Sequence, residues 1–239
     1  MFEIFLFRVV SPRKNLFGFL AFLILSLLVF SFLDLSLLAL NRSLLLENVE
    51  ITSKIQSITL PYLTGLMVFV SFFGEVTIAG FSVFLLAVWL LWKGYTREIL
   101  YIPAVLAAPA FTFLSKNIFA IPRPTEYLVN IYQPVSGYSF PSGHVLFYTV
   151  FFGFTAFLGI SLPSLQKLWR FILLSISVPM ILFIGFSRIY LGAHWPSDVF
   201  GAYFIGFALL EFLLLVYLKL TYLPQMRNKQ NKTNYNGKN

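Results

Sequence analysis

Two histidines occur in 239 residues, and each stands among residue types that can put an imidazole to work. In "SRIYLGAHWPSD", His194 precedes Asp198 by four positions, with Pro196 between them. Proline suits the first turn of a helix. A helix opening there brings Asp198 back toward the imidazole, where its carboxylate can accept a hydrogen bond from one ring nitrogen. That bond fixes the tautomer and leaves the other nitrogen as a nucleophile. In "PSGH", His144 follows Pro141, Ser142 and Gly143 at the junction of a polar loop and an apolar run. A second imidazole near its ordinary pKa can give a proton to a leaving group and later take one from water.

The neighbouring residues define what such a pair would act on. Lys116 and Arg123 lie in "KNIFAIPRP", and Arg188 opens the His194 stretch. Three cations with few acidic neighbours, Asp198 and Glu126 among them, call for an anion. Arginine presents planar paired donors that match phosphate oxygens, and lysine adds a point charge. Ser142 is placed to cap the helix that begins at Gly143. The free N–H groups of that helix end form an anion seat, and Gly143 lets the backbone approach the ligand. The eight residues Lys116, Arg123, Ser142, Gly143, His144, Arg188, His194 and Asp198 are the candidate site.

The elements that must position them are membrane helices. The chain is 59% hydrophobic and 11% charged, against about 25% charged in a soluble domain. Apolar runs at roughly 15–40, 71–92, 99–117, 143–161, 169–187 and 197–220 each match a bilayer core of about 30 Å. The first follows Arg8, Arg13 and Lys14 but is too long for a signal-peptide core and lacks a cleavage site. The expected fold is an all-α six-span bundle over 15–220, after a short N-terminal segment 1–14 and before a disordered tail 221–239. Residues 41–70 read as one or two helices lying on the outer membrane surface, or an additional short span. The net charge of +8 would suggest nucleic acid on a soluble protein. Here the basic residues fall in alternate connections: before span one, at Lys93 and Arg97, at Lys167 and Arg170, and from Lys219 onward. That pattern sets both termini in the cytoplasm and the candidate site on the outer face, at the ends of spans three to six. No nucleic-acid partner is expected. The absence of cysteine excludes disulfides and thiolate metal sites.

The three stretches resemble the motifs of the type 2 phosphatidic acid phosphatase family: K-x6-RP, then PSGH, then SR-x5-H-x3-D. All eleven fixed identities are present in order. The resemblance implies a metal-independent, cofactor-free phosphatase with a phosphohistidine intermediate on His194. It also implies phosphate binding by Lys116, Arg123, Ser142, Gly143, His144 and Arg188. The substrate would be a lipid phosphomonoester or pyrophosphate, with phosphatidate, phosphatidylglycerol phosphate, undecaprenyl pyrophosphate and a phosphorylated lipid A all compatible. A lipid phosphotransferase and a non-catalytic lipid binder or scramblase are the alternatives.

Blander readings exist for each part. Lys116 and Arg123 taken singly are interfacial anchors, Asp198 complements a helix dipole, and His194 beside Trp195 fits an interfacial belt. Two histidines and an aspartate can bind zinc, but three nearby cations oppose a metal there. Glu75, at the start of span two near Gly74, can face the site but is not counted among its residues.

Overall fold

The computed structural model describes residues 14–162 and 164–222. The basic N-terminus up to Arg13 and the tail beyond residue 222, both used in the sequence reading, lie outside the described residues. Within them every regular element is helical. The long helices are α1 (Lys14–Leu40), α2 (Leu45–Gln56), α3 (Leu63–Phe72) and α4 (Val76–Trp92). A 3₁₀ turn (Glu98–Tyr101) and the short α5 (Ile102–Val105) lead into α6 (Ala107–Phe119). Then come α7 (Gly143–Ser161), α8 (Lys167–Tyr190) and α9 (Pro196–Tyr217).

Five stretches are long and apolar enough to cross a bilayer, and α3 with α4 makes a sixth if that pair crosses as one. The pair is bent by 59° at Phe73–Glu75. If the pair crosses as one, the second span starts at Leu63 and not at the expected residue 71, and it takes residues 63–70 from the end of the expected surface segment 41–70. Only α2 and the flanking turns remain outside. "PYLTGLMVFV" reads ambiguously because a short apolar run next to a break fits a surface helix and a half-span equally well.

Apolar side chains face outward in a way only lipid tolerates. Along α1, Phe19, Phe22, Leu27 and Phe30 are more than half exposed. In water that surface would drive aggregation, whereas in hydrocarbon it carries no cost. The centre of the bundle is α7, buried along most of its length. It packs against α8 and α9, with α6 alongside; α1 runs along α9, and α3 lies on α8.

This topology gathers four helix ends. The C-termini of α6 and α8 and the N-termini of α7 and α9 meet at one end of the bundle, and they carry Lys116, Arg188, His144 and Asp198. Lys93, Arg97, Lys167 and Arg170 belong to the opposite end. There Arg170 donates to the carbonyls of Ile160 (2.6 Å) and Leu162 (3.0 Å), satisfying the open C-terminus of α7. Tyr217 donates to Glu98 (3.0 Å), tying α9 to the start of the third span.

Candidate active site

The turn from α8 into α9 carries His194. It passes through Gly192 at φ +68°, where a side chain would also meet the carbonyl oxygen of Asn130 at 2.2 Å. Both facts require glycine. Gln56 of α2 braces the same corner, donating to the carbonyls of Asn130 (2.7 Å) and Tyr190 (3.0 Å). Asn48, also on α2, accepts from the Ser197 N–H and donates to the Ser197 hydroxyl, each at 3.0 Å. It therefore satisfies one of the open N–H groups at the start of α9.

Asp198 is fully buried in the first turn of α9. Its Oδ2 accepts from the Trp195 N–H (2.8 Å) and from the Ser139 hydroxyl, and it lies 3.4 Å from His194 Nδ1. Ser139 Oγ is itself 3.4 Å from the same ring nitrogen. The other nitrogen, Nε2, receives the Arg123 guanidinium at 3.2 Å. With Nδ1 donating to the carboxylate, Nε2 is the acceptor and keeps its lone pair. Burial, and then the charges of Arg123, Arg188 and Lys116, hold the His194 pKa well below its ordinary value of 6.5. The ring is therefore neutral at physiological pH.

Arg123 reaches this position from a loop. Its guanidinium donates to the carbonyls of Ala193 (2.6 Å), Gly137 (3.1 Å) and Ser136 (3.2 Å). Burial lowers its pKa, with Asp198 acting in the opposite direction. Arg188 is completely buried at the end of α8, where it donates to Ser71 of α3 and to Gln133 (2.9 Å). Lys116, half-buried in the last turn of α6, lies within electrostatic range of Arg123, Asp198 and Arg188.

The PSGH stretch is anchored from both sides. Phe140 is buried between Phe32 (ring centroids 5.7 Å) and Phe119 (5.3 Å). The Ser142 N–H donates to the Asp198 carbonyl at 3.1 Å. Ser142 caps α7 in extended backbone geometry, but its hydroxyl makes no cap bond. Among the described residues, the buried donors without a protein hydrogen-bond partner include Ser142 Oγ and Arg188 Nε at this site, and His144 Nε2, which faces Glu75. All three come from the motifs. Native proteins leave few buried polar atoms unpaired, and Ser142 Oγ and Arg188 Nε, beside a helix N-terminus and three basic side chains, have the chemistry to receive an anion. No three metal-ligating side chains gather among the described residues.

All eight sequence candidates thus sit at one end of the bundle, in the last turns of α6 and α8, the first turns of α7 and α9, and the loops that join them. Sequence reasoning missed Ser139, Ser71 and Gln133. It left Glu75 without a role, yet Glu75 Oε1 lies 3.7 Å from His144 Nε2. Glu126 and Tyr127 are exposed on the loop.

Fold and site together define an integral-membrane phosphatase. Residues 97–222 match the PAP2 superfamily, and the chain belongs to that family. It is 32% identical over 161 residues to undecaprenyl-diphosphatase BcrC of Bacillus subtilis, covering 63% of this chain and 75% of that protein. It is 28% identical over 167 residues to an undecaprenyl-diphosphatase of Sulfolobus acidocaldarius, covering 66% and 73%. The fold is similar to that of the PAP2-type phosphatidylglycerolphosphate phosphatase from B. subtilis, with a TM-score of 0.72 at 21% identity, covering 82% of this chain and 97% of that one. Aquifex aeolicus LpxE matches with a TM-score of 0.53 at 23% identity, covering 69% and 93%.

Proposed function

We propose that this protein removes the terminal phosphate from a lipid diphosphate of the polyprenyl type, at the outer face of the membrane, through a phosphohistidine on His194. The observation that carries the reading is the pairing of the two His194 nitrogens: Nδ1 toward Asp198 at 3.4 Å, Nε2 beside Arg123 at 3.2 Å. A neutral imidazole with an unprotonated Nε2 beside the Arg123 guanidinium is arranged for in-line attack on a phosphorus whose oxygens replace Nε2 as that guanidinium's partner. Lys116, Arg123, Arg188, the Ser142 hydroxyl and the first N–H groups of α7 stabilise the equatorial oxygens as charge develops. His144 gives its proton to the leaving oxygen, then takes one from the water that cleaves the phosphorus–nitrogen bond.

The diphosphate is chosen over a monoester because both relatives matched by sequence are undecaprenyl-diphosphatases. The outer location rests on the basic residues at the opposite end of the bundle.

The test is phosphate release by the purified protein in detergent, with EDTA, from undecaprenyl diphosphate and from phosphatidylglycerol phosphate, for wild type and His194→Ala. The expected result is EDTA-resistant release, faster from the diphosphate, falling by ~10⁴-fold or more in the variant. Wild-type turnover in His194→Ala would overturn the nucleophile. Faster release from the monoester would overturn the substrate.

A further inference from the structure

The elbow between α3 and α4 precedes residues 97–222, the part of the chain that matches the family, yet it touches the site at three points. Ser71 receives the buried Arg188 guanidinium. Gly74 lies against the His144 ring so closely that a Cβ there would sit 2.3 Å from His144 Cδ2 and 3.0 Å from Nε2. Glu75 brings Oε1 to 3.7 Å from that same Nε2. The elbow is also pinned in place, because Ser187 donates to the Met67 carbonyl (2.7 Å) and Tyr148 to that of Val70.

Among the described residues the carboxylate makes no hydrogen bond, and it lies within electrostatic range of Arg188 and Tyr148. Glu75 occupies the N-cap position of α4 but makes no side-chain cap bond. An N-cap is normally Ser, Thr, Asp or Asn, whose short side chains reach back to the helix. Here a longer side chain points across to the neighbouring histidine. The charged or titratable groups near His144 are Lys116 from α6, Arg123 from the loop, Arg188 from α8 and His194 from the α8–α9 turn. Glu75 is the one carboxylate within ion-pair distance of His144 among the described residues.

We infer that Glu75 is the positioning residue for His144, holding Nε2–H so that Nδ1 is the nitrogen that exchanges protons with substrate and water. The inference rests on the reading of His144 as proton donor. Its steps balance. As His194 Nε2 bonds to phosphorus and the bond to the leaving oxygen breaks, the Nδ1 proton passes to that oxygen. A water then attacks phosphorus, its proton returns to Nδ1, and the phosphorus–nitrogen bond breaks to regenerate neutral His194. Throughout, the Nε2 proton stays on the Glu75 side. The site thus has two carboxylate–histidine pairs with opposite polarity: Asp198 on Nδ1 of the nucleophile, Glu75 on Nε2 of the acid. The 3.7 Å gap closes when substrate engages Nδ1, as catalytic hydrogen bonds often tighten only in the complex.

The experiment compares kcat and KM for phosphate release from undecaprenyl diphosphate in wild type, Glu75→Gln, Glu75→Asp, His144→Ala and the Glu75→Gln/His144→Ala double variant. Each is first checked for monodisperse elution in detergent. The expected result is a kcat about tenfold lower in Glu75→Gln with KM little changed, partial recovery in Glu75→Asp, and no further loss when Glu75→Gln is added to His144→Ala. Residues acting as a unit are non-additive in this way, whereas a structural contribution would add. Wild-type kcat in Glu75→Gln, or an additional loss in the double variant, overturns the inference while leaving the phosphatase reading intact. A wild type that releases no phosphate from any lipid phosphate overturns the reading itself.

Discussion

The two histidines occupy opposite kinds of surroundings. His194 is 1% exposed, and both of its ring nitrogens are engaged by side chains that are themselves held by backbone groups. His144 leaves 18% of its side chain open, its Nε2 has no hydrogen-bond partner, and the nearest carboxylate stands off at 3.7 Å. On the proposed mechanism, in which His194 is the nucleophile and His144 the acid, the difference follows from what each must do. A nucleophile needs one tautomer and one orientation, so rigidity helps it. An acid that later serves as a base must meet a leaving group and then a water, so its corner has to admit both.

The comparison breaks most sharply at Asp198. Asp198→Asn keeps the volume and the bond from Trp195 N–H but can present an amide donor to His194 Nδ1, favouring the wrong tautomer. The expected loss in kcat is ~10⁴-fold, the size seen when an orienting aspartate is neutralised in a triad, with unchanged elution in detergent. A loss below tenfold would mean His194 is oriented by Ser139 and Arg123 alone. At the other histidine, Gly74→Ala asks whether the open corner has room to spare. The new methyl must displace the imidazole, since its nearest contact is Cδ2 at 2.3 Å and the ring is the end of a side chain. A displacement near 1 Å costs about 10²-fold in kcat. Unchanged turnover would show that the His144 position is not critical, and the contrast between the two corners would lose its meaning.

Much of this was legible in one dimension, and the part that was not has a common cause. The expected span 15–40 is Leu16–Leu40, and 143–161 is Gly143–Ser161, because bilayer thickness writes itself into the length of apolar runs. His194 and Asp198 were readable as a pair because four residues make one helical turn. Ser71 lies 117 residues from Arg188, and Ser139 lies 59 from Asp198. No periodicity reports such separations. Glu75 was seen but had no motif to give it weight, and the 59° bend that turns it toward His144 is a tertiary feature. The start of the second span was not legible for a related reason, since a break at Gly74 looks the same in sequence whether it ends a surface helix or bends a span.

Ser139 gives a smaller test of the rigid corner. Its hydroxyl is one of three donors into Asp198 Oδ2, beside the Trp195 N–H and His194 Nδ1. A hydrogen bond to a charged group contributes roughly 1.5–3 kcal/mol. Part of that is retained when the backbone donor remains, so Ser139→Ala should lower kcat by about tenfold. A loss as large as that of Asp198→Asn would place Ser139, and not Trp195, as the principal support of the carboxylate.

The gentlest probe changes nothing at the rigid corner. Because the chain has two histidines, His144→Ala leaves His194 as the one imidazole, and its NMR signal is assigned without further work. Burial and the three cations disfavour the imidazolium, so the titration midpoint should lie well below 6.5, with the ring neutral at pH 7. The sign then reverses on adding inorganic phosphate. An anion seated among Lys116, Arg123 and Arg188 offsets their repulsion of the ring proton, so the midpoint should rise. A midpoint that starts at or above 6.5 would mean water and counterions already screen this corner, contrary to its burial. A low midpoint that phosphate leaves unmoved would place the anion somewhere other than beside His194, and the cations would then have to be explained without it.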